Sequence, residues 1–316
     1  VKALAEAPVI VIAGPTASGK TALALSFVAE LESIGRKAEI LCCDSITVYR
    51  QLEIGSAKPT AQERALVPHH LVDLVGPEEN FTAGEFVRQA SRVIESLHKE
   101  EKIPLLVGGA GFYLRALLRG MASSEEEEPA RAKEIRAKIE LRAKEEGFPK
   151  LYSELLHLDP GSVVTVHAND HYRILRALQA MELYGKPWSE LNKMARASPP
   201  RYPGLRYFVL RWERESLLLR VQQRTRAMLQ QGLLLEVKSL LDSGVSPEAK
   251  PLNSVGYKEC LDVLRGSLPE AELEAKIIQE TMRLAKRQMT WFRGEEYVEW
   301  LDPEFLPQLR SALMLG

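Results

Sequence analysis

Cysteine is almost missing from this chain: three in 316 residues, Cys42, Cys43 and Cys260. At those spacings they make neither a disulfide framework nor a metal site. The adjacent pair falls in an apolar run that reads as a buried strand, so a reducing cytoplasm is the expected location. Excess charge is missing too. Lys and Arg number 42 against 43 Asp and Glu, a net charge of −1, so a nucleic acid would have to be held by local basic clusters rather than an overall field. No apolar run is long enough to cross a bilayer and no basic-then-apolar leader opens the chain, so no membrane partner is expected. The chain opens on Val1 rather than Met, and a natural start upstream is expected. His69 and His70 are adjacent but lack a third ligand at metal spacing, which reads as structural. The four Trp are scattered, and Trp291 beside Phe292 reads as core packing.

Hydrophobic residues make up 45% and charged residues 27%, the balance of a globular chain with a sizeable core. Short apolar runs alternate with helical patterns, the signature of a parallel sheet covered by helices. Strands are expected near Val9–Ala13, Glu39–Cys43, Leu71–Leu74, Pro104–Val107, Tyr207–Leu210 and Tyr297–Leu301. A helix over Thr21–Ile34 is closed by Gly35. Thr82 with Glu85 reads as a capping box opening a helix to about Lys99. Between Arg119 and about Pro200 strand signal nearly vanishes. Asp170 and Gly185 are expected to cap the two ends of a helix there, and the run Glu125–Glu128 reads as a solvated hinge. The expectation is a core of residues 1–118 and 201–316 carrying an all-helical insertion of residues 119–200.

The stretch GPTASGKT supplies the one strong motif. Gly14, Gly19, Lys20 and Thr21 match a phosphate-binding loop, flanked as required by a strand and a helix. Small residues there let backbone N–H groups of Gly14, Pro15, Thr16, Ala17, Ser18, Gly19, Lys20 and Thr21 (Pro15 excepted) converge on phosphate oxygens. Lys20 adds charge, and the Thr21 hydroxyl can reach a bound Mg²⁺. The fold class expected is therefore α/β, a P-loop NTPase-like core with a mostly parallel sheet. Asp44, ending the second strand, can be read as a Mg²⁺ holder, a general base or a cap for the next turn. Spacing alone leaves all three open.

Together GPTASGKT, DSITVYRQLEIGSAKPT, PHHLVDL and LLVGGAGFYLRALL resemble the tRNA dimethylallyltransferase family. So do the arginine pair in YRILR, the VGYK tetrapeptide and the late LAKRQMTWFR element, in the same order from Gly14 to Arg293. The absence of Cys/His pairs for a C-terminal zinc finger favours the bacterial form. The resemblance implies transfer of a dimethylallyl group from dimethylallyl diphosphate to N6 of the adenosine 3′ of the tRNA anticodon. The loop would then hold an isoprenoid diphosphate with Mg²⁺ bound through it and Thr21, Lys20 and Arg224 would act at the reacting groups, and Asp44 would take the N6 proton. Expected tRNA contacts are Asp44, Ser45, Ile46, Thr47, Ala110, Arg131, Tyr172, Arg173, Ile174, Leu175, Arg176, Lys258, Arg283, Lys286 and Arg287. The insertion would meet the anticodon stem-loop, and the enzyme is expected to act as a monomer without a protein partner.

Three positions depart from the family pattern. Ala110 stands where Thr is usual, Ser56 replaces Thr in the GSAKP segment, and Tyr172 stands where Gln is common. Activity is still expected, with Ala110→Thr keeping or raising turnover. Other classes compatible with the phosphate loop are a small-molecule or nucleotide kinase using ATP and an adenylate isopentenyltransferase. Pure RNA binding would leave the loop unexplained.

Overall fold

The computed structural model describes residues 8–120 and 129–313. The acidic run Glu125–Glu128 lies outside them. The strands are β1 (Val9–Ala13), β2 (Ala38–Cys43), β3 (His69–His70), β4 (Ile103–Gly108), β5 (Leu205–Leu210) and β6 (Val298–Leu301). They form one sheet in the order β3-β2-β4-β1-β5-β6, and every pairing is parallel. The thirteen α-helices of the described residues follow the chain. They are α1 (Lys20–Ser33), α2 (Ala61–Leu66), α3 (Ala83–Lys99), α4 (Gly111–Arg119), α5 (Pro129–Glu146), α6 (Phe148–Leu158) and α7 (His171–Tyr184). Then come α8 (Trp188–Ala197), α9 (Arg214–Gln230), α10 (Leu233–Asp242), α11 (Tyr257–Leu264), α12 (Leu273–Arg293) and α13 (Phe305–Leu313). The chain divides into two compact units, Val1–Leu114 with Tyr202–Gly316, and Arg115–Arg201.

In the first unit the central strands β1 and β4 are buried on both faces, as a sheet covered on both sides requires. Val9–Ala13 is wholly buried, and Ile10 and Ile12 share a core with Phe27 and Leu31 of α1 and Phe208 of β5. From β1 the chain goes toward β2 on one side and later returns to β5 on the other. That reversal opens a crevice at the carboxyl end of β1, where ligands of such sheets bind. Two expectations need correction. The third strand is His69–His70 rather than Leu71–Leu74, because Leu71 and Asp73 adopt left-handed φ of 64° and 57°. The segment instead hydrogen-bonds back to the Thr47 and Val48 carbonyls. At α3, Thr82 Oγ1 accepts the Glu85 N–H, but Glu85 turns its carboxylate to Gln89 and Arg88, so only half of the capping box forms. The complete box is Thr60 with Glu63, at the start of α2.

The second unit contains helices and no strand among its described residues. Ile135 and Ile139 of α5, Leu151 and Leu155 of α6, and Ile174 and Leu178 of α7 form its core. Asp170 caps α7 through the Arg173 N–H at 3.0 Å, and Gly185 ends it at φ 65°. A cap of this kind contributes about 1 kcal/mol. Buried Asp159 accepts both the N–H and the hydroxyl of Ser189 at 2.7 Å, fixing the start of α8.

Candidate functional site

Gly14–Gly19 of the motif form the turn after β1, and Lys20 and Thr21 open α1, at the crevice beyond the end of β1. Gly19 sits at φ 89°, and a side chain there would press on the Arg220 guanidinium. Three distant side chains hold the loop by its backbone. Gln288 Oε1 accepts the Thr16 N–H at 2.8 Å. Arg220 Nε donates to the Ala17 carbonyl at 2.8 Å, and Trp212 Nε1 donates to the Ser18 carbonyl at 3.0 Å. The Arg220 guanidinium also lies 4.8 Å from the centre of the Trp212 ring. A loop tied at three peptides keeps its remaining amides aimed without reorganisation, which is what anion binding needs.

Lys20 Nζ donates to the Pro15 carbonyl at 2.7 Å. Burial, then the neighbouring Arg224, lower its pKa to about 7, against the opposing pull of Asp44. Burial also lowers the pKa of Arg224, again opposed by Asp44, and Arg224 Nη1 donates to Thr16 Oγ1 at 3.3 Å. The site thus collects two cations that burial disfavours, with Asp44 as the counter-charge to both. Each would be relieved by an anion.

Asp44 is neither buried away nor free of structural duty. Its Oδ1 accepts the Ile46 N–H at 2.8 Å, closing a turn. It also lines a small cavity together with Thr16, Lys20, Thr47, His69 and Arg224. The cap expected of Asp44 thus forms at Oδ1, while the residue still lines the cavity. A larger cavity of about 940 Å³ lies alongside, and Lys20, Thr21 and Arg224 line both. Among the described residues no cluster of three His, Cys, Asp or Glu could hold a metal by protein donors alone. Thr21, which lines both cavities, does suit a hard cation shared with phosphate oxygens.

The other expected site residues spread widely. Thr47 is buried beside Asp44, its hydroxyl without a partner, whereas Ser45 is exposed. Ala110 follows β4, its N–H donating to the Cys43 carbonyl at 3.2 Å. On α12, Arg283, Lys286 and Arg287 are exposed while Ala285 and Phe292 are buried, and Arg283 pairs with Glu280 at 2.7 Å. Lys258 is exposed beside buried Tyr257. In the helical unit Arg131, Tyr172 and Arg173 are exposed. Arg136 lies over the Tyr172 ring, Arg173 pairs with Asp170, and Arg176 donates to Gln179. Ile174 and Leu175 are the exception to the expected contacts. Both belong to the core of that unit, so their side chains are not available to RNA.

Gln288, Trp212 and Arg220 are the site residues that sequence reasoning missed. Gln288 stands within the LAKRQMTWFR element, but nothing in that spelling says that its amide reaches a loop 272 positions earlier. His69 Nδ1 meets the Val67 carbonyl and His70 Nε2 meets Glu39, contacts in keeping with the structural role expected of the pair. Yet His69 also lines the cavity of Asp44.

Residues 47–295 match the family model described as IPP transferase. tRNA dimethylallyltransferase 1 of Trichlorobacter lovleyi is 42% identical over 305 residues, 96% of this chain and 97% of the relative. The tRNA dimethylallyltransferase of Syntrophobacter fumaroxidans is 41% identical over 298 residues, covering 94% of this chain and 84% of its own. A solved tRNA isopentenylpyrophosphate transferase from Bacillus halodurans aligns at TM-score 0.69 and 30% identity, covering 97% of this chain and 95% of that one. A eukaryotic dimethylallyltransferase solved acting on tRNA aligns at TM-score 0.78 and 26% identity, covering 98% and 77%. The phosphate loop and Asp44 precede the matched family segment, but a likeness over 96% of the chain leaves too few residues aside to skip them. With likeness along nearly its full length and the core fold in common, the chain belongs to the IPP transferase family.

Proposed function

We propose that this protein transfers a dimethylallyl group from dimethylallyl diphosphate to N6 of the adenosine on the 3′ side of the tRNA anticodon. One observation carries the reading: Asp44, Lys20 and Arg224 come from three separate elements to line one cavity at the phosphate loop. That arrangement suits a displacement at the allylic carbon. The N6 nitrogen forms its bond to carbon as the bond from carbon to the diphosphate oxygen breaks. Lys20, Arg224 and the loop amides face the charge developing on the departing diphosphate. Asp44 takes the proton that N6 loses. Thr21 and diphosphate oxygens would hold Mg²⁺, which when bound adds positive charge at the leaving group.

Supporting tRNA as acceptor are the names of the relatives, the eukaryotic neighbour acting on tRNA, and two sets of exposed basic residues. Arg283, Lys286 and Arg287 of α12 and Arg131 and Arg173 of the helical unit suit phosphate-backbone contact. Adenine would have to leave its stack to reach Asp44. No helix among the described residues is long and apolar enough to cross a membrane.

The test is incubation with dimethylallyl diphosphate and unmodified tRNA, followed by mass analysis of the anticodon-loop fragment. A dimethylallyl addition on the adenosine is the expected result. Parallel reactions hold ATP with candidate acceptors, or free adenosine nucleotides with the isoprenoid donor. Phosphate transfer without prenylated RNA would overturn the proposal in favour of a kinase. Prenylation of the free nucleotide alone would make the protein an adenylate isopentenyltransferase.

A further inference from the structure

One wall of the larger cavity is the loop that carries Ile54, Ala57 and Pro59, and it faces Ala227 and Met228 of α9. These apolar side chains alternate with Glu53, Lys58 and Thr60 of the same loop, which also line the cavity, as do Gly19 and Lys20 of the phosphate loop. The wall is held from behind in an unusual way. Four consecutive backbone N–H groups converge on two side chains. Those of Glu53 and Ile54 donate to Glu236 Oε2 at 3.0 and 2.8 Å, and that of Gly55 donates to Glu236 Oε1 at 3.4 Å. The Ser56 N–H donates to the Tyr257 hydroxyl at 3.2 Å, and that hydroxyl donates to Glu236 Oε1 at 2.7 Å. Successive amides gathered on a carboxylate form an anion nest, and charge-assisted bonds of this kind are short and strong.

Tyr257 is completely buried, and a Cβ on Gly55 would lie 2.4 Å from its ring. The loop backbone therefore rests flush on the ring, and only glycine permits it. Burial and the adjacent Glu236 push the phenol pKa upward, which keeps the hydroxyl a donor. On the cavity side of the loop Lys58, its side chain 1% exposed, bonds Glu53 at 2.8 Å and Asp73 at 2.5 Å. The wall is pinned on both sides, so its depth has little freedom to vary.

We infer that Glu236 and Tyr257 are positioning residues that set the depth of this wall and so the length of isoprenoid chain the cavity accepts. The inference rests on the proposed donor. A pocket that excludes a longer chain discriminates by contact with carbons, and misplacing such a wall by a fraction of an ångström changes preference rather than chemistry.

The test compares dimethylallyl diphosphate with geranyl diphosphate in the parent, Glu236→Gln and Tyr257→Phe. Both substitutions keep the shape of the side chain. Expected is a fall of about tenfold or more in the preference for the shorter donor, seen mainly as a raised KM for dimethylallyl diphosphate. Affinity for inorganic pyrophosphate, which needs the phosphate loop and not the wall, stays within about twofold. An unchanged preference in folded variants overturns the inference. So does a parallel loss for both donors and pyrophosphate, the mark of general destabilisation. Should the parent bind pyrophosphate yet prenylate no RNA with either donor, the reaction reading fails instead. The ratio of binding constants for the two donors then judges the wall by itself.

Discussion

The Gln288 side chain bonds Thr16 from 272 positions away, Oε1 accepting the Thr16 N–H at 2.8 Å while Nε2 donates to the Gly109 carbonyl at 3.1 Å. One amide thus spans the turn after β1 and the end of β4, the two strands that frame the crevice. Replacing Gln288 with Ala would leave a loop amide and a strand-end carbonyl without that bridge. A fall of roughly 10–100-fold in turnover is expected from the misplaced loop. Single-turnover kinetics with saturating tRNA measure it, and a rate equal to the parent would show that the bridge does not position the loop.

Asp44→Asn should lower turnover by about 10²–10⁴-fold, the usual range for a lost general base. Asn can still accept the Ile46 N–H through Oδ1, so the turn should survive and tRNA affinity should barely change. Parallel measurement of turnover and tRNA binding checks both halves. Retained turnover would remove Asp44 from the proton path.

Diphosphate binding should take up a proton near neutral pH. Lys20 has a pKa lowered to about 7, chiefly by burial, so above that value it is largely neutral before an anion arrives. Diphosphate favours the ammonium form and raises that pKa, so uptake at Lys20 is small below pH 7 and approaches about one proton above it. Calorimetry of pyrophosphate binding in buffers of different ionisation heat counts the protons. Lys20→Arg, charged throughout, should lose this component, and equal uptake in the two proteins would place the proton elsewhere.

Arg173 and Arg176 lie one turn apart on α7, one paired with Asp170 and the other bonded to Gln179. If both contact RNA phosphates, replacing them together weakens binding and lowers the salt slope by roughly 0.7–0.9 per contact. Filter binding of tRNA across a salt series reads this out. Parallel lines for parent and variant would mean that RNA phosphates are contacted by other residues, with the exposed row on α12 the next to test.

The phosphate loop was legible from the chain because its geometry is local: a strand, eight residues and a helix dictate where the amides point. The caps on α7 were legible for the same reason, since Asp170 and Gly185 act within one turn of themselves. Most parallel strands announced themselves as apolar runs, but the run Leu71–Leu74 is not one: Leu71 and Asp73 are left-handed, and the strand is His69–His70 just before it. Those φ values follow from bonds to Thr47 and Val48, on another segment.

Sequence by itself determined the α/β pattern, the phosphate loop and the caps of α7 in the second unit, because each depends on neighbours within a few positions. The tertiary structure alone decided which side chains complete the site. Gln288, Trp212 and Arg220 reach the loop across 194 to 272 positions, and Glu236 and Tyr257 hold the cavity wall across 181 to 201. The same packing buried the Ile174 and Leu175 side chains in the core of the second unit. The physical reason is that a hydrogen bond between distant segments is written in where the sheet order and helix packing bring them, and no spacing along the chain encodes that distance.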